Sequence, residues 1–481
     1  MPPTTWAKLG FAALVAVAAV GFVAYPTFPT YDSYYALVWG RDLLHGHLPA
    51  FGVYRAPTQH PLAIAFGALL SLAGHGADRL MVAATIASFV ALAAGVYRLA
   101  RQAFTPLIGA IAVALLCTRL AIPFLAVRGY LDIPYLALVI WAGVLEAERP
   151  RRGTPVFVLL AAAGLLRPEA WVITGLYFLW CAWPASWSQR LRYLALAAVG
   201  PVVWAAVDLA ITGDPLYSLH STSGLADELG RANGLSGVPS ALVQFLTRQD
   251  HTSVLIGAGA GLVLAIWLCP RRMVVPGALL ATGIGTFGLV GLAGLSIIDR
   301  YLLMPVIMVM VFAAVALGGW SMLRRDSRLR QVWLAGAVAL TIYGVADAAS
   351  TLSLHYAKSE LSFRNDSHHA LEALLANRRV RAALTCGPVS VPNHKLIPEV
   401  RWILGSGPRD VIARSQARTL ALRGDGSLEA RLRTGVAIYP TGQAVFREAI
   451  VDPGDDPIDQ VPSAYFDRAA TTQYYAAYVH C

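Results

Sequence analysis

Asp32 lies in the densest group of reactive side chains in the chain. Residues 30–62 read TYDSYYALVWGRDLLHGHLPAFGVYRAPTQHPL and hold Asp32, Asp42, His45, His47, His60, Tyr31, Tyr34, Tyr35, Tyr54 and Trp39. A carboxylate set among histidines and aromatics suits proton transfer to or from a hydroxyl. Further on, carboxylates and arginines recur in close pairs: Arg128 with Asp132, Arg167 with Glu169, and Asp299 with Arg300. Guanidinium groups match phosphate oxygens, so Arg300 could hold a lipid phosphate. Each site also has a structural alternative. Asp32 stands where a helix N-cap would sit. Glu169 could form an ion pair with Arg167 or Arg128, and Arg300 could anchor the membrane interface with Tyr301. His220, in a polar loop, is a weaker candidate, since a lone loop histidine is usually solvated.

The elements that position these residues are membrane spans. The 481 residues are 57% hydrophobic and 14% charged, with mean hydropathy +0.56, which excludes a soluble domain and suits a multi-pass α-helical membrane protein. Apolar runs near 7–26, 78–97, 106–125, 132–147, 154–167, 170–184, 192–212, 252–269, 274–295, 301–320 and 331–350 give about eleven spans. The run at 7–26 has no small-residue cleavage site after it and is read as a retained span, not a signal peptide. The net charge of +10 sits in arginines clustered between spans, as cytoplasmic loops require, and not in a nucleic-acid patch. Arg98 and Arg101, then Arg149, Arg151 and Arg152, then Arg190 and Arg192, Arg271 and Arg272, and Arg324 to Arg330 occupy every second loop. The N-terminus is therefore expected in the cytoplasm and Asp32 outside, in a first loop over 27–77. In that loop Tyr34, Tyr35, Val38, Trp39 and Leu43 form an apolar stripe, predicting a helix along the membrane surface. The apolar run 60–75 is too short to cross and is read as re-entrant or interfacial. The loop over 213–251, which contains His220, is long and rich in Gly and Ser, as a substrate loop would be.

Residues 1–350 thus form the membrane domain, and 351–481 read as an extracytoplasmic α/β domain. SHHALEALLANRRVRAAL is helical in pattern, while DVIA, GVAIYP and YYAAYVH read as strands. Cys386 and Cys481 are the two cysteines of that domain, and an oxidising exterior permits a disulfide between them. No P-loop, GxGxxG or zinc spacing is present, so an outward-facing enzyme would need a lipid-borne donor rather than a nucleotide.

This pattern resembles the GT-C superfamily of integral-membrane glycosyltransferases, which use polyprenyl-phosphate-linked sugars. The resemblance rests on Asp32 directly after the first span, the surface helix that follows, and the HPL segment leading into GADRLMVAATIASFVALAAGVYRLARQAF. It continues in CTRLAIPFLAVRGYLDIPYLAL, in LLRPEAW, which is similar to actinobacterial arabinosyl- and mannosyltransferase-like members, and in the C-terminal domain. The chain lacks a WWD-type motif, and a single Asp32 stands where many protein mannosyltransferases carry Asp-Glu.

The resemblance implies inverting sugar transfer to an extracytoplasmic glycan or glycolipid. Mannose or arabinofuranose would be the donor sugar. Asp32 would be the general base and Asp132 a second catalytic carboxylate. Arg128, Arg300 and His60 would face the leaving phosphate. Tyr34, Arg167, Glu169, His220 and Asp299 complete the expected substrate-binding set. Asp32 and Asp132 could also ligate a divalent cation such as Mg2+, Mn2+ or Ca2+. Two other classes stay open. A flippase of lipid-linked precursors would use intramembrane charges and broken helices, and a glycan-binding scaffold would tolerate loss of Asp32.

Overall fold

A computed structural model describes residues 3–351, 354–447 and 463–481. It is mainly helical. The order is α1 (Pro3–Ala24), α2 (Tyr31–Leu44), α3 (Pro61–Ser71), α4 (Ala77–Ala103), α5 (Pro106–Thr118), α6 (Ala121–Val127), α7 (Asp132–Glu148) and α8 (Thr154–Leu166). Then come α9 (Ala170–Ala182), α10 (Trp187–Thr212), α11 (Tyr217–Glu228), α12 (Val238–Leu268), α13 (Val274–Leu292), α14 (Leu303–Gly318) and α15 (Arg328–Thr351).

Seven of these are long and apolar enough to cross a bilayer: α1, α4, α10, α12, α13, α14 and α15. The pair α5–α6 passes the same test as one span bent by 66°. By length and composition the structure therefore has seven or eight spans, against the eleven expected. The shortfall lies in α7, at 17 residues, and in α8 and α9, at 13 each, where a straight span needs about 20. The sequence runs are apolar there, but Arg149-Pro150 after α7, Arg167-Pro168 after α8 and Trp183-Pro184 after α9 end the helices early. Helix α14 is the axis of the bundle. It is buried along almost its whole length and packs against α12, α5 and α13.

The segment carrying Asp32 differs from the sequence reading. The apolar stripe of α2 is covered by protein: Tyr34, Tyr35, Leu37, Val38 and Trp39 are all at or below 1% exposure. Apolar periodicity marks a buried face without saying whether lipid or protein covers it. Here α2 packs on α3 through two glycines. A Cβ on Gly67 would lie 2.3 Å from the Ala36 carbonyl oxygen, and one on Gly40 would lie 2.2 Å from the Ala68 amide nitrogen. Both contacts are backbone, so neither can yield cheaply. Gly67→Ala should lower stability by about 1–3 kcal/mol or more, read as a lower melting temperature of the detergent-solubilised protein. An unchanged melting point would show that α2 and α3 do not meet this closely. Asp32 is not the N-cap either. Thr30 holds that position, and Asp32 falls in the first turn.

Beyond α15 the chain enters α16 (Leu354–Ala376), α17 (Arg378–Ala383) and α18 (Ile397–Leu404), packed on a five-stranded sheet. The strands are β1 (Val389–Val391), β2 (Val411–Ala413), β3 (Gly435–Pro440), β4 (Asp467–Thr471) and β5 (Tyr475–His480), in the order β2-β1-β3-β5-β4. β1 runs parallel to β2 and β3, while β5 is antiparallel to β3 and β4. A disulfide joins Cys386, ahead of β1, to Cys481, after β5.

The sheet domain grips α2. Arg401, at 0% exposure, donates to Asp42 at 3.1 Å, and Arg41 donates to the carbonyls of Arg401 and Trp402. Stranding such a buried guanidinium would cost about 3–5 kcal/mol, so the contact commits the two parts to one another. Arg364 bonds Glu399 at 3.0 Å and the Phe28 and Pro29 carbonyls just ahead of α2.

Candidate active site

Asp32 and Asp132 both occupy the first turn of their helices, where the helix dipole favours a carboxylate. Arg167 caps the C-terminal end of α8, where the dipole favours a cation. Arg300 sits in a 3-10 turn, Asp299–Leu302, that leads into α14. Local structure therefore sets the sign of charge at each helix end before any pair forms.

The pairs interlock. Arg300 Nη1 donates to Asp32 Oδ2 at 3.1 Å and lies 3.5 Å from Asp132 Oδ2. Arg167 Nη2 lies 2.8 Å from Asp132 Oδ1 and 3.2 Å from Glu169 Oε1. Two guanidiniums thus thread three carboxylates. Aromatic rings back them: Arg300 stands over Tyr130 at 5.2 Å and Arg167 over Tyr301 at 5.4 Å. The carboxylates differ in access. The Asp132 side chain is 3% exposed and the Asp32 side chain 22%. Burial pushes the Asp32 carboxyl up, but Arg300 beside it more than offsets this, and the group is held below the usual carboxylate range. Asp32 is therefore ionised at neutral pH, with one oxygen engaged and a face open.

His60 ends the loop before α3 and is buried, edge-on to Trp204 at 5.7 Å. Burial, with the nearby Arg167, drops its imidazole to about 4, so it is neutral at pH 7. Between the guanidiniums and α13 runs a narrow cavity of about 30 Å3. Its polar end is formed by Asp132, Arg167, Glu169 and Arg300, and its wall by Ile173, Leu279 and Met304. That volume admits one or two waters.

The other expected site residues lie apart. Arg128 stacks on Tyr130 at 5.7 Å and makes no ion pair with Asp132 or Glu169, because Arg167 takes both. Tyr34 is buried, its hydroxyl 3.2 Å from His368 Nδ1 in α16, out of reach of a substrate. His220, expected in a loop, lies in the first turns of α11, where it is exposed and pairs with Asp214 just ahead of the helix at 2.7 Å. Asp299 contributes its carbonyl to Gln249 at 2.9 Å. Among the described residues no three His, Cys, Asp or Glu side chains converge as a metal centre needs. The Asp32–Asp132 pair does not suit a divalent ion, because Arg300 already fills the space between the two carboxylates with positive charge.

Three positioning residues were not anticipated: His368, Glu399 and Arg364. For His368 and Glu399 the signal was charge inside apolar-periodic segments, SHHAL and IPEVRWIL. His368 Nδ1 donates to Glu399 Oε1 at 2.7 Å, and its ring stacks on Phe28 at 3.6 Å. Burial alone would lower this imidazole. Hydrogen bonds to Glu372 and Glu399 instead raise it to about 9. A folded value above the ordinary 6.5 means the contribution is complete below pH 6.5 and is lost as pH rises through about 9. The melting temperature should therefore fall across that window, and His368→Gln should flatten the fall. An identical pH profile in the variant would assign the loss to another group.

No family model matches the chain, and no curated protein matches it. Solved structures do. The apo structure of ArnT from Cupriavidus metallidurans aligns with TM-score 0.59 at 14% identity, covering 99% of this chain and 98% of that one. Together with the paired carboxylates at the helix ends, that end-to-end match decides the architecture. The chain has the GT-C fold. ArnT bound to undecaprenyl phosphate gives TM-score 0.56 at 14% identity, with the same coverage. The oligosaccharyltransferase AglB from Archaeoglobus fulgidus, in complex with an inhibitory peptide and a dolichol-phosphate, gives 0.54 at 10% identity, covering 91% of this chain and 70% of that one. The GT-C fold places the Asp32 loop, the span bundle and the sheet domain in one continuous architecture.

Proposed function

We propose that the protein transfers a sugar from a polyprenyl-phosphate donor to a hydroxyl of an extracytoplasmic glycan or glycolipid, with inversion. The observation that carries this reading is Arg300 shared between an accessible, ionised Asp32 and a buried Asp132, on the GT-C fold. Asp32 takes the proton of the acceptor hydroxyl as its oxygen bonds the anomeric carbon. The bond from that carbon to the phosphate oxygen breaks, and its electrons leave with the polyprenyl phosphate. Arg300 faces the charge that grows on the phosphate. Asp132 works through others: it fixes Arg300 and Arg167 from a site closed to substrate. Arg167 and Glu169 shape the sugar side. The actinobacterial character of LLRPEAW favours mannose or arabinofuranose as the sugar.

The protein belongs, on this reading, in the plasma membrane with its N-terminus in the cytoplasm and the domain from 351 onward outside, as the alternating arginine loops favour. Eleven crossings result if α7, α8, α9 and the bent α5–α6 pair join the seven long spans. The test is to supply membranes carrying the protein with labelled polyprenyl-phosphomannose and polyprenyl-phosphoarabinofuranose. Release of polyprenyl phosphate, with label passing to product at the opposite anomeric configuration, is expected from one of them. Movement of intact donor across the bilayer without cleavage would replace the transferase with a flippase.

A further inference from the structure

Across α14 from the catalytic cavity lies a second and larger one, about 810 Å3, walled by α5–α6, α12, α14 and α15. Its size is that of a ligand pocket. Its apolar lining includes Leu115, Leu120, Phe124, Val254, Leu317 and Leu340. Its polar lining includes Arg119, Arg248, Gln249, His251, Ser253 and Tyr356. A lining that offers both chemistries suits a lipid.

Two helices break at the polar lining. The 66° bend between α5 and α6 sets Arg119 at its corner. Helix α12 is interrupted at His251, whose φ of 63° is rare and costly for a residue with a Cβ. These independent departures from helix geometry line one rim. Neither the Arg119 nor the Arg248 guanidinium has a hydrogen-bond or ion-pair partner among the described residues. The carboxylates that Arg119 feels are Asp250 and Asp347. Asp347 is engaged by Ser253 at 2.5 Å, with His251 at 3.9 Å, and Asp250 is fully buried. Arg119, near the Asp250 carboxylate, and Arg248 thus line a cavity with guanidiniums that make no hydrogen bond among the described residues, beside an apolar lining.

We propose that this cavity holds one anionic phospholipid of the bilayer, with its phosphate at Arg119 and Arg248 and the start of its chain along the apolar lining. A free phosphate would leave that lining uncovered. A zwitterionic lipid would bring its own cation beside the arginines. The seat is also tied to the reaction centre, because Gln249 on its rim donates to the carbonyl of Asp299, the neighbour of Arg300. The binding claim stands whether or not the transfer reaction is as proposed.

The test is native mass spectrometry of the purified full chain titrated with phosphatidylglycerol and with phosphatidylcholine, and with inorganic phosphate as competitor. Wild type should bind phosphatidylglycerol at least about tenfold more tightly, because phosphatidylcholine sets its own cation beside the two arginines. Arg119→Gln with Arg248→Gln should erase that preference. Gly344→Leu provides a second route should the double variant not fold. Gly344 lines the cavity, and a Cβ there meets nothing within 4 Å, so the side chain fills the space without a clash at its base. It should weaken both lipids. Equal binding of the two lipids to wild type overturns the proposal. So does unchanged phosphatidylglycerol binding in the arginine variant, or in Gly344→Leu if the arginine variant does not fold. So does full displacement by millimolar phosphate, which would make this a simple anion site.

Discussion

Asp32→Asn is expected to reduce donor turnover by about 100- to 10,000-fold, the range attached to loss of a general base. Asparagine keeps the size of the side chain and can still accept from Arg300, so the fold and donor binding should persist. The loss should fall on kcat with KM nearly unchanged. Wild-type turnover should show no acid limb from Asp32 between about pH 5 and 8, because the carboxyl is held below its ordinary range. His60, neutral down to about 4, adds none either. If Asp32→Asn turns over like wild type, the base lies elsewhere and Asp132 or Glu169 is next. A variant that loses donor binding together with turnover would place Asp32 in recognition instead.

Arg300→Ala should cost about 100- to 1,000-fold in turnover, the loss expected when a group that meets developing charge is removed. It differs from the first prediction in a measurable way. Removing Arg300 takes away the main opposing charge near Asp32, whose pKa should rise, so the residual activity of Arg300→Ala should acquire an acid limb that wild type lacks. Arg300→Lys should recover only part of the rate, since Nη1 alone meets both carboxylates and an ammonium lacks the further fork of donors a guanidinium keeps for phosphate oxygens. Full activity in Arg300→Ala would leave the arginine a structural bridge and return the phosphate to Arg128 or Arg167.

Charge at the edge of apolar sequence was legible because it is expensive and therefore conspicuous. That reasoning singled out Asp32, Asp132, Arg167, Glu169 and Arg300, and the structure brings these five together. Which of them pair was not legible. Arg128 is four residues from Asp132, yet Asp132 bonds Arg167 and Arg300, because rotation of α7 about its axis decides which neighbours it faces. Tyr34 and His220 were chosen for residue type and location in a loop, and both have local or buried partners instead. The stripe on α2 was legible as apolar, but not what covers it: protein encloses Tyr34, Tyr35, Val38 and Trp39, with α3 on one side and part of residues 364–402, more than 300 positions later, on another. The apolar runs located most helices well. Their number as spans is less clear, because run length in sequence overstates helix length where prolines and charges cut α7, α8 and α9 short.

That long-range cover has a consequence for biogenesis. Helix α2 is among the first parts of the chain to leave the ribosome, and the residues that enclose it, Arg364, His368, Glu399 and Arg401, are among the later ones. Until they arrive, Trp39, Tyr34 and the Asp42 carboxylate have no partners from that side. The Asp32 helix packs on α3 on one side, and its other side is closed once the sheet domain has folded onto it. A chain cut before that domain would carry Asp32 on a helix lacking its Arg364, His368 and Arg401 contacts.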